Sequence, residues 1–156
     1  MTERATSDWL RVWSRFRPEA EALFDAGTGR RWTWTALYAA SLAWAAHLEK
    51  LGVGRGDRAA VLAHNRGETL ALLFACAERG AILFPMNWRL SPAELRWQLQ
   101  DCTPTVLLCD AAHHEVAAQI ADQPVLSLDD LPQAGAPGPG ARRRGDLCGD
   151  GGAGEV

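Results

Sequence analysis

Apolar positions recur along the chain at two spacings, and each switch between them marks out a new element. Trp9, Val12, Trp13 and Phe16 sit at i, i+3, i+4 and i+7, the stripe of a short helix that Ser7 or Asp8 can cap and Pro18 stops. The β-prone runs Ala22-Leu23-Phe24 and Trp32-Thr33-Trp34 flank Asp25-Ala26-Gly27-Thr28-Gly29, whose turn residues predict a hairpin. A long helix is predicted from about Thr35 to Leu51, with Leu37, Ala40, Trp44, Leu48 and Leu51 on one face and Gly52 closing it. Ala59 to Ala63 is continuously apolar, as expected of a strand covered on both faces.

The alternation goes on. Asn65 stands where it can cap a helix running to about Arg79, Gly80 ends that helix, and Ala81-Ile82-Leu83-Phe84 reads as a second buried strand. Ser91-Pro92-Ala93-Glu94 joins a capping box to a proline at the first helical position, so a helix starts at Pro92. Thr105 to Cys109 reads as a third buried strand, Ala111 to Ala121 as a helix and Val125 to Leu128 as a fourth strand. Strand and helix in this order build right-handed βαβ units. The fold class is therefore α/β, a mostly parallel sheet with helices on both faces. The expected organisation is an N-terminal helix within residues 1–20, the α/β unit over 21–131 and a tail over 132–156.

Apolar residues nearly vanish after Leu131. Pro, Gly, Ala and Arg dominate residues 132–156, leaving too little surface to offset chain entropy, so the tail is expected to be disordered. Codons for those residues are rich in G and C, and Lys50 is the only lysine among 16 Lys and Arg. Both traits suit a GC-rich gene whose reading frame is lost between Leu131 and Arg142; a natural flexible linker is the alternative. Gly149-Asp150-Gly151-Gly152 lacks the Lys and Ser/Thr of a phosphate loop and follows no strand.

Composition narrows the partners. The chain has 156 residues, 47% of them hydrophobic, enough for one domain with a real core. A net charge of -3 gives no basis for a nucleic-acid partner, and Arg142-Arg143-Arg144 is too short a run to change that. The longest apolar run, Leu70 to Ala77, falls far short of the ~20 residues of a membrane span, and no apolar h-region follows Met1-Thr2-Glu3-Arg4. A soluble, cytoplasmic chain is expected. Cys76, Cys102, Cys109 and Cys148 show no C-x-x-C spacing. Cys109 lies near His113 and His114, but zinc there would draw two ligands from elsewhere, so the cysteines read as reduced, small apolar residues. Trp9, Trp13 and Trp44 read as core, whereas Trp88 and Trp97 flank the loop around Arg89.

Specific residues carry the reading further. Arg31-Trp32-Thr33-Trp34-Thr35-Ala36-Leu37 resembles the x-x-T-Y-x-E-L segment of adenylate-forming enzymes, and Leu51-Gly52-Val53-Gly54-Arg55-Gly56-Asp57-Arg58 resembles their L-G-V-x-x-G-D-R-V. Asn65, Gly80-Ala81 and Pro85-Met86-Asn87-Trp88-Arg89-Leu90 follow the pattern N…G-A…P-x-N-x-R-L, and Glu94-Leu95 falls where the family has E-L. Each piece is short, but they occur in order and on the expected elements from about Glu21 to Leu131. The chain thus resembles the N-terminal region of AMP-forming acyl-CoA and fatty-acid CoA synthetases.

The resemblance implies an enzyme that joins a carboxylate to ATP as an acyl adenylate and passes the acyl group to CoA. Such chemistry needs glycine-rich backbone donors, Mg²⁺ and cations placed against developing phosphate charge. In the family those parts follow the region matched here, and this sequence contains none of them: Thr103-Pro104-Thr105 is not the phosphate loop, and Lys50 is expected on the exposed side of a helix. The chain is therefore expected to hold no cofactor and to be inactive alone, with ATP, Mg²⁺ and CoA used by a complete enzyme. One residue carries a role by resemblance: Arg89, the arginine of the N-x-R-L motif, which in some CoA ligases contacts a CoA phosphate. A surface arginine or a salt bridge is the alternative. Two other readings stand beside the inactive ligase fragment. One is an interaction module, or split subunit, docking onto a separately encoded remainder; the other is a free-standing α/β nucleotide binder, for which Ala63-His64-Asn65-Arg66-Gly67 makes a poor phosphate turn.

Overall fold

The structure is a computed structural model and describes residues 7–130. The elements in chain order are α1 (Ser7–Phe16), β1 (Glu21–Asp25), β2 (Arg30–Thr33), α2 (Trp34–Lys50), β3 (Arg58–Leu62), α3 (Gly67–Arg79), β4 (Ile82–Pro85), α4 (Pro92–Cys102), β5 (Val106–Cys109), α5 (His114–Ile120) and β6 (Val125–Ser127). The hairpin β1–β2 is antiparallel; the other four strands form a sheet of order β4-β3-β5-β6 in which every described pairing is parallel. The tail, with Arg142-Arg143-Arg144 and Gly149-Asp150-Gly151-Gly152, lies outside the described residues.

Strand alternation sorts the core into two layers. Ala59, Val61, Val106 and Leu108 face one way and pack with Leu37, Trp44, Leu48, Leu72 and Ala75 of α2 and α3. Ala60, Leu62, Leu107 and Cys109 face the other way and pack with Leu95 and Leu99 of α4 and with Ala117 and Ile120 of α5. Both central strands are buried on both faces, which is why β3 and β5 read as unbroken apolar runs. The α/β class with helices on both faces is what the sequence pattern predicted.

The ends of α2 and α3 and the start of α4 match their chemistry, and the start of α3 does not. Gly52 and Gly80 adopt φ of 76° and 69° just past α2 and α3, a conformation that glycine reaches without steric cost. The Ser91 hydroxyl accepts from the Glu94 N–H at 3.4 Å while the Glu94 carboxylate accepts from the Ser91 N–H at 2.8 Å, closing the capping box. Ser91→Ala is expected to cost about 1 kcal/mol, read as a lower urea midpoint at unchanged m-value. The start of α3 departs from the predicted cap. Asn65 does not cap it; its cap position is Arg66, without a side-chain bond, and the Gly67 N–H donates instead to Oδ2 of Asp25 at 3.1 Å. Packing the hairpin against α3 brings a charged acceptor, a stronger partner than a neutral amide, to that end.

Three further expectations are corrected. Trp34 is not in the hairpin but opens α2, because the Thr33 hydroxyl accepts from the Ala36 N–H at 3.1 Å and caps the helix there. The predicted apolar stripe of α1 is not core. Leu10 is its buried anchor, whereas Trp9, Val12 and Phe16 are 53%, 56% and 76% exposed. Trp9 and Trp13 instead lean on Trp34, with ring centroids 5.7 and 5.4 Å away, so the stripe forms an outer aromatic layer. Finally, β4 is an edge strand with Ile82 exposed, because β3 is its sole described partner. Trp44 is core as predicted, joined by Trp32.

Beneath the α3 start lies a charged network. Glu68 takes Arg30 on one oxygen and Arg66 on the other, each at 2.8 Å, and Arg66 reaches Asp129 at 2.6 Å. The Arg30 guanidinium also lies 3.6 Å above the Trp32 ring. Among the described residues, no helix is long and apolar enough to cross a membrane.

Candidate functional site

In an all-parallel sheet the strands end on the same side, and the loops that leave those ends are where α/β folds gather binding groups. Here the rim collects five side chains from three loops. His64 stands two residues after β3, Trp88 and Arg89 follow β4, Asp110 directly follows β5, and His113 closes the 3-10 turn Ala111–His113.

Asp110 is the centre. Its Oδ2 accepts from the backbone N–H of His64 at 3.0 Å and lies 3.0 Å from His64 Nδ1. Its Oδ1 accepts from the backbone N–H of His113 at 3.1 Å and lies 2.5 Å from His113 Nδ1. Burial pushes the Asp110 carboxyl up, but the His64 backbone N–H and the His113 and His64 side chains outweigh it and hold the carboxyl below the usual aspartate range. The His113 and Asp110 side chains are mostly buried, whereas that of His64 is 52% exposed. Trp88 closes one flank, its ring centroid 4.7 Å from His64 and 5.7 Å from His113.

Arg89 extends the row. Its guanidinium lies 4.3 Å from the centre of the Trp88 ring, a cation–π contact, and its backbone N–H donates to Asn87 Oδ1 at 3.2 Å. The side chain is exposed, and among the described residues it forms no ion pair. Its charge is therefore presented to solvent. A shallow groove lined by Leu90, Ala93, Glu94 and Trp97 runs along α4 beside this loop.

The other sequence candidates scatter. Cys109 is fully buried; its thiol donates toward the Leu126 carbonyl at 3.7 Å and burial pushes its pKa up to about 11. His114 is exposed at the start of α5. The Cys109, His113, His114 set is thus not assembled, and only His113 joins the rim. Lys50 is exposed at the end of α2. Sequence reasoning missed His64 and Asp110, which lie 46 residues apart and meet because β3 and β5 are neighbours. The signal that could have found them is their position at the ends of adjacent parallel strands.

A nucleotide phosphate finds no cradle at the start of α3. That helix end, the usual anion site after a first parallel strand, already holds the Asp25 carboxylate, and the Gly67 Cα packs on Trp32. Among the described residues, that helix end leaves no room for a nucleotide phosphate.

Comparisons with known proteins agree with this fold. The indoleacetate–CoA ligase of Aromatoleum aromaticum is 39% identical over 93 residues, 57% of this chain and 18% of that protein. A feruloyl-CoA synthase of an Amycolatopsis species is 34% identical over 121 residues, 78% of this chain and 24% of that protein. A Mycobacterium tuberculosis fatty acyl CoA synthetase superposes with a TM-score of 0.73 at 25% identity, covering 85% of this chain and 30% of the other. The chain therefore spans about a fifth to a quarter of the length of these curated relatives. The sequence profile of the AMP-binding enzymes matches residues 10–142, and with most of its length so matched, this chain belongs to the AMP-binding enzyme family.

Proposed function

We propose that the chain supplies the N-terminal portion of an AMP-forming carboxylate–CoA ligase, carries in Arg89 a contact to a CoA phosphate, and is not catalytic by itself. The observation that carries this reading is the exposed guanidinium of Arg89, without an ion pair among the described residues, on the rim loop after β4, in a chain whose relatives include CoA ligases. A complete enzyme of this kind uses ATP, Mg²⁺, CoA and an aryl or fatty carboxylate. This chain's own part in it is to lay down the parallel sheet, hold the β4 loop against Trp88 and present one fixed cation.

Two measurements test it. Supplied with ATP, Mg²⁺, CoA and a panel of aryl and fatty carboxylates, the purified chain is expected to release no pyrophosphate above the blank; turnover that survives further purification sinks the reading. An exposed charge pair contributes at most ~1 kcal/mol, against the ~4 kcal/mol of millimolar binding. CoA is thus expected to shift the amide resonances around Trp88 and Arg89 only at many millimolar, and Arg89→Ala is expected to abolish those shifts. Shifts unchanged in that variant would remove Arg89 from the site.

A second reading rests on the β4 edge. Ile82 is exposed there, and an open apolar groove lined by Thr69, Leu70, Leu73, Leu83 and Pro85 lies beside it. This surface favours a module that docks onto a separately encoded remainder of the enzyme. Translating the gene from codon 120 onward in all three frames separates the two. A Ser/Thr/Gly-rich loop ending in Pro-Lys-Gly in another frame places catalysis in one restored chain; its absence from every frame favours the split subunit.

A further inference from the structure

Two imidazoles and a carboxylate, none of them used by the ligase reading, converge at the C-terminal rim of the sheet. We propose that His64, Asp110 and His113 form a binding site for a first-row divalent cation of the zinc type, with its remaining coordination positions open to solvent.

The donor set is the first argument. Two imidazole nitrogens and one carboxylate oxygen suit Zn²⁺, Co²⁺ or Ni²⁺, whereas Mg²⁺ and Ca²⁺ call for oxygen ligands throughout. Three protein ligands with a free position are also the pattern of reactive rather than purely structural zinc sites. Spacing is the second argument. One ligand atom from each residue can be chosen so that all lie within 4.8 Å of one another. A tetrahedral ion with bonds of ~2.0–2.1 Å holds its ligands roughly 3.4 Å apart, so the widest separation must close while the 2.5 Å approach of His113 Nδ1 to Asp110 Oδ1 opens. The half-exposed His64 ring is free to close the gap, and a small turn of the His113 ring opens the short contact.

Support behind the ligands is the third argument. Capping the 3-10 turn requires only Oδ1 of Asp110, yet Oδ2 is also fixed, by the backbone N–H of His64 in the loop after β3. With the ion in place, each imidazole carries its proton on Nε2 and turns its Nδ1 lone pair to the metal. Asp110 then exchanges two imidazole hydrogen bonds for a metal–oxygen bond and keeps both backbone N–H bonds, which hold the carboxylate oriented. The Arg89 charge stacked on Trp88 opposes a second cation nearby and is expected to lower the affinity.

The test uses the full 156-residue chain in a Cys148→Ser background, freed of metal by chelator. Zn²⁺ is expected to bind at one equivalent and to raise the melting temperature in step with the logarithm of free zinc. Co²⁺ is expected to give visible bands of a low-coordinate nitrogen–oxygen site. Ni²⁺ is expected to quench tryptophan emission, and Trp88→Phe to remove most of that quenching. His64→Ala, which leaves the backbone bond to Asp110 intact, is expected to weaken Zn²⁺ binding at least tenfold; His113→Ala should do the same, and His114→Ala should not. No saturable Zn²⁺ or Co²⁺ binding overturns the proposal. So does binding that survives both His64→Ala and His113→Ala with the fold intact by circular dichroism.

Discussion

Asp25→Ala is expected to remove about 3 kcal/mol of stability or more, a large share of the 5–15 kcal/mol that holds a domain of this size. The residue is buried and acts as a hub. Oδ1 accepts from the N–H groups of Gly27 and Thr28 at 3.0 and 3.1 Å, and Oδ2 accepts from Gly67. One substitution therefore strips the hairpin turn and the start of α3 together, leaving backbone donors without their partner and the positive helix end without its anion. Burial raises the Asp25 carboxyl's pKa, but the Gly67 and Thr28 backbone bonds, with the Thr28 hydroxyl and Gly27, outweigh it and hold it below the usual value. The sign of the pH dependence follows. A depressed pKa contributes stability in full above the unfolded value of ~3.9, and that contribution is lost as pH falls toward the folded value. Urea titrations of the parent and Asp25→Asn should differ most at neutral pH and converge below about pH 4. A gap that stays constant from neutral pH to pH 3 would show that the charge is not its source.

Gly67→Ala is the second large effect, and its direction is set by two opposed terms. Alanine favours a helix over glycine by ~1 kcal/mol. Against that, a Cβ at Gly67 would lie 2.3 Å from Trp32 Nε1 and 2.6 Å from its Cε2. The ring cannot retreat, because it is buried and its other contacts include the Arg30 guanidinium and the aliphatic core. Overpacking of this kind costs ~1–3 kcal/mol, and any shift of the helix start also stretches the bond to Asp25. A net loss of up to about 2 kcal/mol is expected. A double-mutant cycle locates the cause: in a Trp32→Leu background the Gly67→Ala penalty should largely disappear. An undiminished penalty would acquit the indole.

How much of this was readable in the residues depends on how local each feature is. Period and capping are local, so the helix starting at Pro92, the buried β3 and β5 and the two-faced sheet followed from the pattern. The cap of α3 was not readable, because Asp25 reaches Gly67 across 42 residues while Asn65 offered a nearer and plausible substitute. The α1 stripe has the right period, but periodicity cannot distinguish a face packed into the core from one laid over it; Leu10, one position away, turned out to be the anchor. Arg89 was singled out through its motif, and its position on an exposed loop after β4 was legible from the pattern. The cluster of His64, Asp110 and His113 was missed because its spacing lies in the strand order rather than in the sequence.

That strand order also sets how the chain must fold. β3 pairs with β4 on one side and with β5 on the other, so Ala59 must meet both Leu83 and Val106. Neither meeting is between near neighbours, and the second spans the whole of α3, β4 and α4. Loop-closure entropy must be lost before those contacts form, which raises the relative contact order above that of a helical bundle of equal length. Refolding is therefore expected on the slower, millisecond-to-second side of the two-state range, with the hairpin and its helices gathered first and the β3–β5 pairing completing the barrier.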